Sequence, residues 1–200
     1  MKNNLVSLGS IAVLSNGVNL RKIPENEDDG DVFVIQYKNI DFDNESINLD
    51  GAVKMNLKRL KCKNDDILKP GDLLFTGSGN RNKAINVPVT RFPMIATHHF
   101  IVIRSNASLN ISSEYLALFI NHSDKYFNSV SQGTIQQNIS KENLLGLEIQ
   151  IPSLELQKNT SQLQKLVLEE KKLLQELSEK RKRLMQGIFE TYNTHIKNGE

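Results

Sequence analysis

The densest grouping of side chains able to do chemistry lies in KPGDLLFTGSGNRNKA, residues 69–84, which sets Thr76, Ser78, Asn80, Arg81, Asn82 and Lys83 close together. Asparagine can pair bidentately with an adenine edge and arginine or lysine with guanine, while small residues let the backbone approach phosphates. The same residue types also build ordinary turns. A second polar stretch, SQGTIQQNIS at 131–140, carries Ser131, Gln132, Thr134, Gln136, Gln137, Asn138 and Ser140 around Gly133, with no charge among them. It reads either as a solvated loop or as a surface that recognises something. Gly133 is placed to end a preceding helix. Gln136 and Gln137 are amides of the same kind, able to read a base edge or to tie the domain together at a junction.

Catalytic patterns are missing. GSGN at 77–80 has no following Gly-Lys-Ser/Thr and no GxGxxG register, so it is not a phosphate loop. His98 and His99 are adjacent, and on a strand they would point to opposite faces. Cys62 is the single cysteine and lacks the spaced partners of a zinc site. No G-x-S-x-G or nucleophile–base signature appears. The expectation is a binding protein rather than an enzyme, with no catalytic residue, no metal ligand and no cofactor.

The charges support a binder of anions. The formal net charge is only +2, but residues 25–50 hold nine acids against Lys38. Residues 54–104 hold ten bases against three acids, a net +7. A basic segment supplies the local positive potential that phosphates need, although charge runs are also ordinary solvated faces. One cysteine fits a reducing compartment. No apolar run approaches the ~18 residues of a membrane span, and LVSLGSIAVLS is too interrupted for a signal peptide. A cytoplasmic location without membrane contact is expected.

The elements that must position these residues are mixed. VFVIQYKNI (32–40), AINVPVT (84–90), HHFIVIRS (98–105) and LEIQIP (147–152) have strand character, and Pro70-Gly71-Asp72 is a turn feeding an apolar strand. Ser112 or Ser113 caps a helix expected to run through Tyr126 and Phe127. The fold class is α+β: a compact β-rich domain over 1–152, a long coiled-coil helix over 153–190 and a tail over 191–200. After Pro152, Ser153 is the expected N-cap, with Glu155 at the positive end of the helix dipole. About 37 helical residues would reach roughly 55 Å, long enough to invite a partner.

That helix carries a 4-3 ladder: Leu163, Val167, Glu170, Leu174, Leu177, Arg181, Leu184 and Ile188. It is a coiled-coil seam with two charged interruptions. A parallel homodimer would set Glu170 against Glu170 and Arg181 against Arg181, burying like charges together. An antiparallel pair centred between Gln175 and Glu176 joins Glu170 to Arg181 twice, Leu174 to Leu177, Val167 to Leu184 and Leu163 to Ile188. The Glu/Arg placement favours the antiparallel dimer.

Taken in order, PGDLLFTGSG, HHFIVIRSN, SEYLALFIN and GTIQQNISKENLLGLEIQIPSLELQ, followed by a charged Leu-rich helix, resemble the specificity subunits of type I restriction-modification systems. Residues 131–157 carry the most specific part. VSLGSIAVLSNGVNL and VFVIQYKNID resemble the family's opening, so the likeness covers essentially the whole chain. The resemblance implies a target recognition domain that reads double-stranded DNA and a helix that docks DNA methyltransferase subunits, with a restriction subunit as a further partner it allows. Catalysis and its cofactors would belong to those partners. It also implies that residues 76–83 face DNA and that Gln36, Tyr37 and Lys38 occupy a similarly placed position after a strand. The family carries two recognition domains and two helices per chain. Here there is one of each, which implies a half-size subunit completed by homodimerisation and an inverted-repeat target. The alternatives are a coiled-coil adapter without DNA binding and a regulatory half-subunit.

Overall fold

Leu73, Leu74 and Phe75 are consecutive apolar residues on one strand, a pattern that fits a sheet buried on both faces rather than half-exposed. The computed structural model describes residues 5–20, 25–60, 62–77, 81–106, 110–131 and 138–198, with side chains through 193. In chain order it contains β1 (Leu5–Ser7), α1 (Leu8–Ile11), β2 (Ala12–Asn16), β3 (Val32–Ile35), β4 (Ile40–Asp41), β5 (Ser46–Ile47) and β6 (Val53–Met55). There follow β7 (Leu73–Thr76), β8 (Lys83–Asn86), β9 (Met94–Ala96), β10 (Ile101–Ser105), α2 (Ser113–Asn121), α3 (Asp124–Val130), α4 (Lys141–Leu145), β11 (Glu148–Gln150) and α5 (Leu154–Asn198). The arrangement is α+β, as the sequence pattern implies.

The central sheet runs β2-β10-β7-β8, antiparallel throughout. Strand alternation sends Leu73, Phe75, Ala84 and Ile103 to a core shared with Leu116, Ile120, Phe127 and Leu144 of the helices. Leu74, Ile85 and Val102 point the other way, to a core shared with Ile35, Met94 and Ala96 of a second sheet, β6-β3-β9. The outer face of that second sheet buries Val32, Val34 and Ile95 against Leu60. Phe75 is completely buried, and truncating such a side chain typically costs about 3–5 kcal/mol.

The acidic stretch is largely absorbed by the edge of β6. The Glu27 and Asp31 amides donate to the Lys54 and Met55 carbonyls, while Lys54 N donates to Asn26 Oδ1. Carboxylates of Glu27 and Asp31 accept the Asn56 and Leu57 amides. Arg59 pairs with Glu27 and Asp29 at 3.2 and 3.3 Å. An otherwise open strand edge is thereby covered.

Several expected elements differ in extent. The helix expected through Phe127 breaks at His122-Ser123, where Ser123 Oγ donates to the Phe119 carbonyl and Asp124 begins a new first turn. Strand β3 stops at Ile35 because the Asn39 side chain accepts from Gln36 N and closes a tight turn over Tyr37–Asn39. His98 and His99 precede β10 instead of lying on it, and their rings stack at 4.1 Å rather than facing opposite ways. The last helix continues past residue 190 to Asn198, with no proline or glycine in TYNTHIKN to stop it.

The chain divides into two units, Met1–Gln162 and Leu163–Glu200. Within the first, Ser153 Oγ accepts the Leu156 amide at 3.3 Å, as an N-cap does. Gln157 is completely buried. Its Oε1 accepts the Ser112 amide at 2.9 Å, and its Nε2 donates to the Asn110 and Pro152 carbonyls at 2.7 and 3.0 Å. One side chain thus joins the first turn of α5 to the start of α2. Gln157→Leu leaves those backbone groups without partners and is expected to lower stability by about 2–3 kcal/mol. A urea titration should show a lower midpoint with an unchanged slope.

Candidate nucleic-acid interface

The loop that the sequence singles out, 77–82, joins β7 to β8 as a hairpin connection. Its base is fixed at several points. Asp72, just before β7, is buried and accepts Arg104 Nε at 2.8 Å, Arg104 Nη2 at 2.6 Å and the Lys69 amide at 2.8 Å. This bond to Asp72 keeps the Arg104 guanidinium even more firmly protonated than usual. Gly71 supplies the positive φ of +87° that the preceding turn requires. Thr76, fully buried, donates its hydroxyl to the Arg81 carbonyl at 2.6 Å and closes the loop from inside.

At its first residue the loop meets the segment that follows the second polar stretch. Ile139 N donates to the Gly77 carbonyl at 2.8 Å. A Cβ at residue 77 would lie 2.5 Å from the Ile139 carbonyl oxygen, so only glycine fits that approach. TGSG and QNIS, separate in sequence, are therefore joined where their described residues touch.

The far side of the loop rests on the β4–β5 hairpin. Asp41 Oδ1 accepts the Asp43 and Asn44 amides and forms its turn, and Glu45 adopts a φ of +48°. Non-glycine residues seldom occupy that region. This conformation presents Phe42 and Glu45 to the loop. The Arg81 guanidinium lies 5.0 Å from the Phe42 ring centre, and Tyr37 lies 5.1 Å from Phe42 on another side. Lys83 Nζ pairs with Glu45 Oε1 at 3.2 Å and donates to the Asn121 carbonyl at 3.4 Å. The Asn121 side chain pairs with both backbone groups of Ala84, at 2.7 and 3.1 Å, and so serves as a partner for the free edge of β8.

The candidate residues therefore sort by environment. Arg81 and Lys38 are exposed, and among the described residues neither has a carboxylate partner. Tyr37 is exposed beside them. Thr76 and Lys83 are held by internal bonds. Asn82 keeps Oδ1 out of solvent, with no hydrogen-bond partner among the described residues. Ser78, Asn80, Gln136, Gln137 and Gly133 lie outside the described residues. Phe42 and Glu45 were not legible as site residues, because they sit in an acidic run with no motif of their own. Burial, and then Asp66, push the Cys62 thiol up, away from the reactive thiolate. Among the described residues no group of three or more His, Cys, Asp or Glu side chains could hold a metal ion, and no helix is long and apolar enough to cross a membrane.

In the second unit, the apolar members of the ladder, Leu163, Val167, Leu174, Leu177, Leu184 and Ile188, are 44–64% exposed. Leu166, Leu173, Met185, Phe189 and Tyr192 are exposed off the ladder. Apolar surface of this extent marks an interaction face.

The family model for the type I restriction modification DNA specificity domain matches residues 2–179. The chain belongs to that family. This specificity chain is also similar to a chain in a structure concerned with complex assembly and conformational transition of the type I R-M system. There the identity is 20% and the TM-score 0.64, over 94% of this chain and 44% of the other. The HsdS subunit from Thermoanaerobacter tengcongensis matches at 17% identity and TM-score 0.63, over 94% and 47%. The type I S subunit from M. genitalium matches at 14% and 0.50, over 81% and 38%. At these identities the likeness is one of fold, and the specificity chain spans less than half the length of each. No curated protein matches it.

These environments separate two variants that the sequence alone treats alike. Arg81→Ala is expected to weaken duplex DNA binding by about 1–3 kcal/mol where a base contact is lost, with little change in melting temperature. Lys83→Ala removes the ion pair to Glu45 and is expected to cost about 1 kcal/mol of stability. Paired DNA-binding and melting measurements check both, and the reverse pattern would exchange their roles.

Proposed function

We propose that this chain is the sequence-reading element of a type I restriction-modification complex, non-catalytic in itself, and that the 77–82 loop with its Phe42 support faces double-stranded DNA. The observation that carries this reading is Arg81: exposed, oriented on an aromatic ring and without a carboxylate partner among the described residues. Lys38 and Tyr37 extend the same surface, Thr76 and Lys83 hold the loop in shape, and Ser78, Asn80, Asn82, Gln136 and Gln137 complete the proposed contact set. Residues 1–152 form the recognition domain in this reading, and α5 the spacer helix, which includes most of the segment expected to be a tail.

Two copies pair through α5 in antiparallel orientation, with Glu170 of each against Arg181 of the other. The exposed six-member apolar ladder supports pairing, and the position of its two charges supports the direction. A two-fold dimer places two identical recognition surfaces on one assembly, so its target is an inverted repeat in two parts. The apolar residues off the ladder remain for methyltransferase subunits.

The direction is testable by charge exchange. Glu170→Arg alone sets one arginine against another in both mixed layers and is expected to raise the dimer dissociation constant at least tenfold. Glu170→Arg with Arg181→Glu is expected to restore it. Sedimentation equilibrium measures both. A parallel dimer would be indifferent to the single exchange, because one like-charge layer merely replaces another.

A further inference from the structure

Arg81 is not the only cation seated on an aromatic ring. Lys54 on β6 lies directly across from Phe33 on β3. Its ammonium is 5.1 Å from the Phe33 ring centre and 4.6 Å from that of Phe92. The Arg91 guanidinium is 5.7 Å from the same Phe92 ring, and the two rings meet edge to face at 5.8 Å. These groups sit on rigid supports. Phe33 and Lys54 belong to paired strands, while Phe92 and Arg91 lie in a loop bracketed by Pro88 and Pro93. The Thr90 hydroxyl donates to the Phe92 carbonyl across that loop at 2.6 Å.

Arg59, Lys83 and Arg104 are neutralised by carboxylates. Lys54 and Arg91 have no carboxylate partner among the described residues, and an aromatic face holds a cation without cancelling its charge. A lysine on an edge strand ordinarily serves to block further strand pairing. That explanation does not apply to Lys54, since the acidic segment already covers the edge of β6. The carboxylates there are otherwise engaged, Glu27 and Asp29 by Arg59 and Asp31 by the Leu57 amide. Phe33 and Phe42, the rings beneath Lys54 and Arg81, both pack against the inter-sheet core.

We propose that Lys54 and Arg91, seated on Phe33 and Phe92, form a second contact that grips the phosphate backbone of duplex DNA independently of its sequence. The proposal rests on the DNA-reading function above and adds a backbone clamp to it. The cluster offers two positive charges held on aromatic faces, and lysine and arginine so placed are donors to phosphate oxygens, contacts that position a duplex without reading its sequence.

The test uses the full chain, a duplex of random sequence and a salt titration followed by fluorescence anisotropy. Lys54→Gln with Arg91→Gln is expected to weaken binding at low salt about tenfold or more and to reduce the slope of log affinity against log salt by about two. Lys54→Arg is expected to keep the slope, which a purely structural role for the lysine stem would not require. Should the double variant fail to fold, Arg91→Gln at its exposed position carries the test alone, with a slope change of about one. Wild-type affinity and slope in the charge-removed variants, alongside impaired binding by Arg81→Ala, would overturn the clamp and leave the reading loop standing. A wild-type chain that binds no duplex at low salt would overturn both.

Discussion

A buried carboxylate organises the first of the two units. Asp72 is 2% exposed, and a charge so placed persists only if its oxygens are satisfied. Three N–H groups do this, two from Arg104 and one from Lys69. Arg104 reaches further, donating to the Ile67 and Asp65 carbonyls. One ion pair therefore joins the turn before β7, the strand β10 and the 64–67 segment. Removing one partner from such a pair typically costs about 3–5 kcal/mol, because the other charge stays buried. The register of β7 on β10 follows from this anchor, and the position of the 77–82 loop follows from the register.

From that base outward, the domain's polar side chains are used on its own backbone. Thr76 closes the loop, Asn121 completes the edge of β8, and Gln157 joins α5 to α2. The charges are sorted in the same way. Carboxylates cover a strand edge and neutralise Arg59, Lys83 and Arg104. Arg81, Lys54 and Arg91 instead sit on aromatic rings, where they are oriented but not neutralised. The proposed DNA contacts rest on charge of this kind, positioned but not cancelled.

Part of this was legible in the sequence. The Pro70-Gly71 turn, the apolar strand after it, the Ser153 cap and the 4-3 ladder depend on neighbours within a few residues, and local pattern reports such things. Arg104, the ion-pair partner of Asp72, and Ser112, which donates to Gln157, lie thirty-two and forty-five residues away, and no local pattern names them. The break at His122-Ser123 was hidden because the apolar period continues across it, while the interruption comes from a serine hydroxyl bonding to the backbone. Phe42 was overlooked because an aromatic residue in an acidic run has meaning only once Arg81 is placed against it. The family segments gain a physical content here: Asp72 in PGDLLF is the buried anchor, Gly77 and Ile139 are where TGSG meets QNIS, and Gln157 in PSLELQ ties down the helix.

The antiparallel pairing proposed for α5 would extend the same use of charge, since it sets Glu170 of one copy against Arg181 of the other. The most direct measurement is the methylated motif left in genomic DNA when this chain is co-expressed with a type I methyltransferase subunit. The expected result is a two-part motif whose halves are inverted copies of one sequence, separated by a fixed spacer. A motif with two different halves, or methylation that does not depend on this chain, would contradict it.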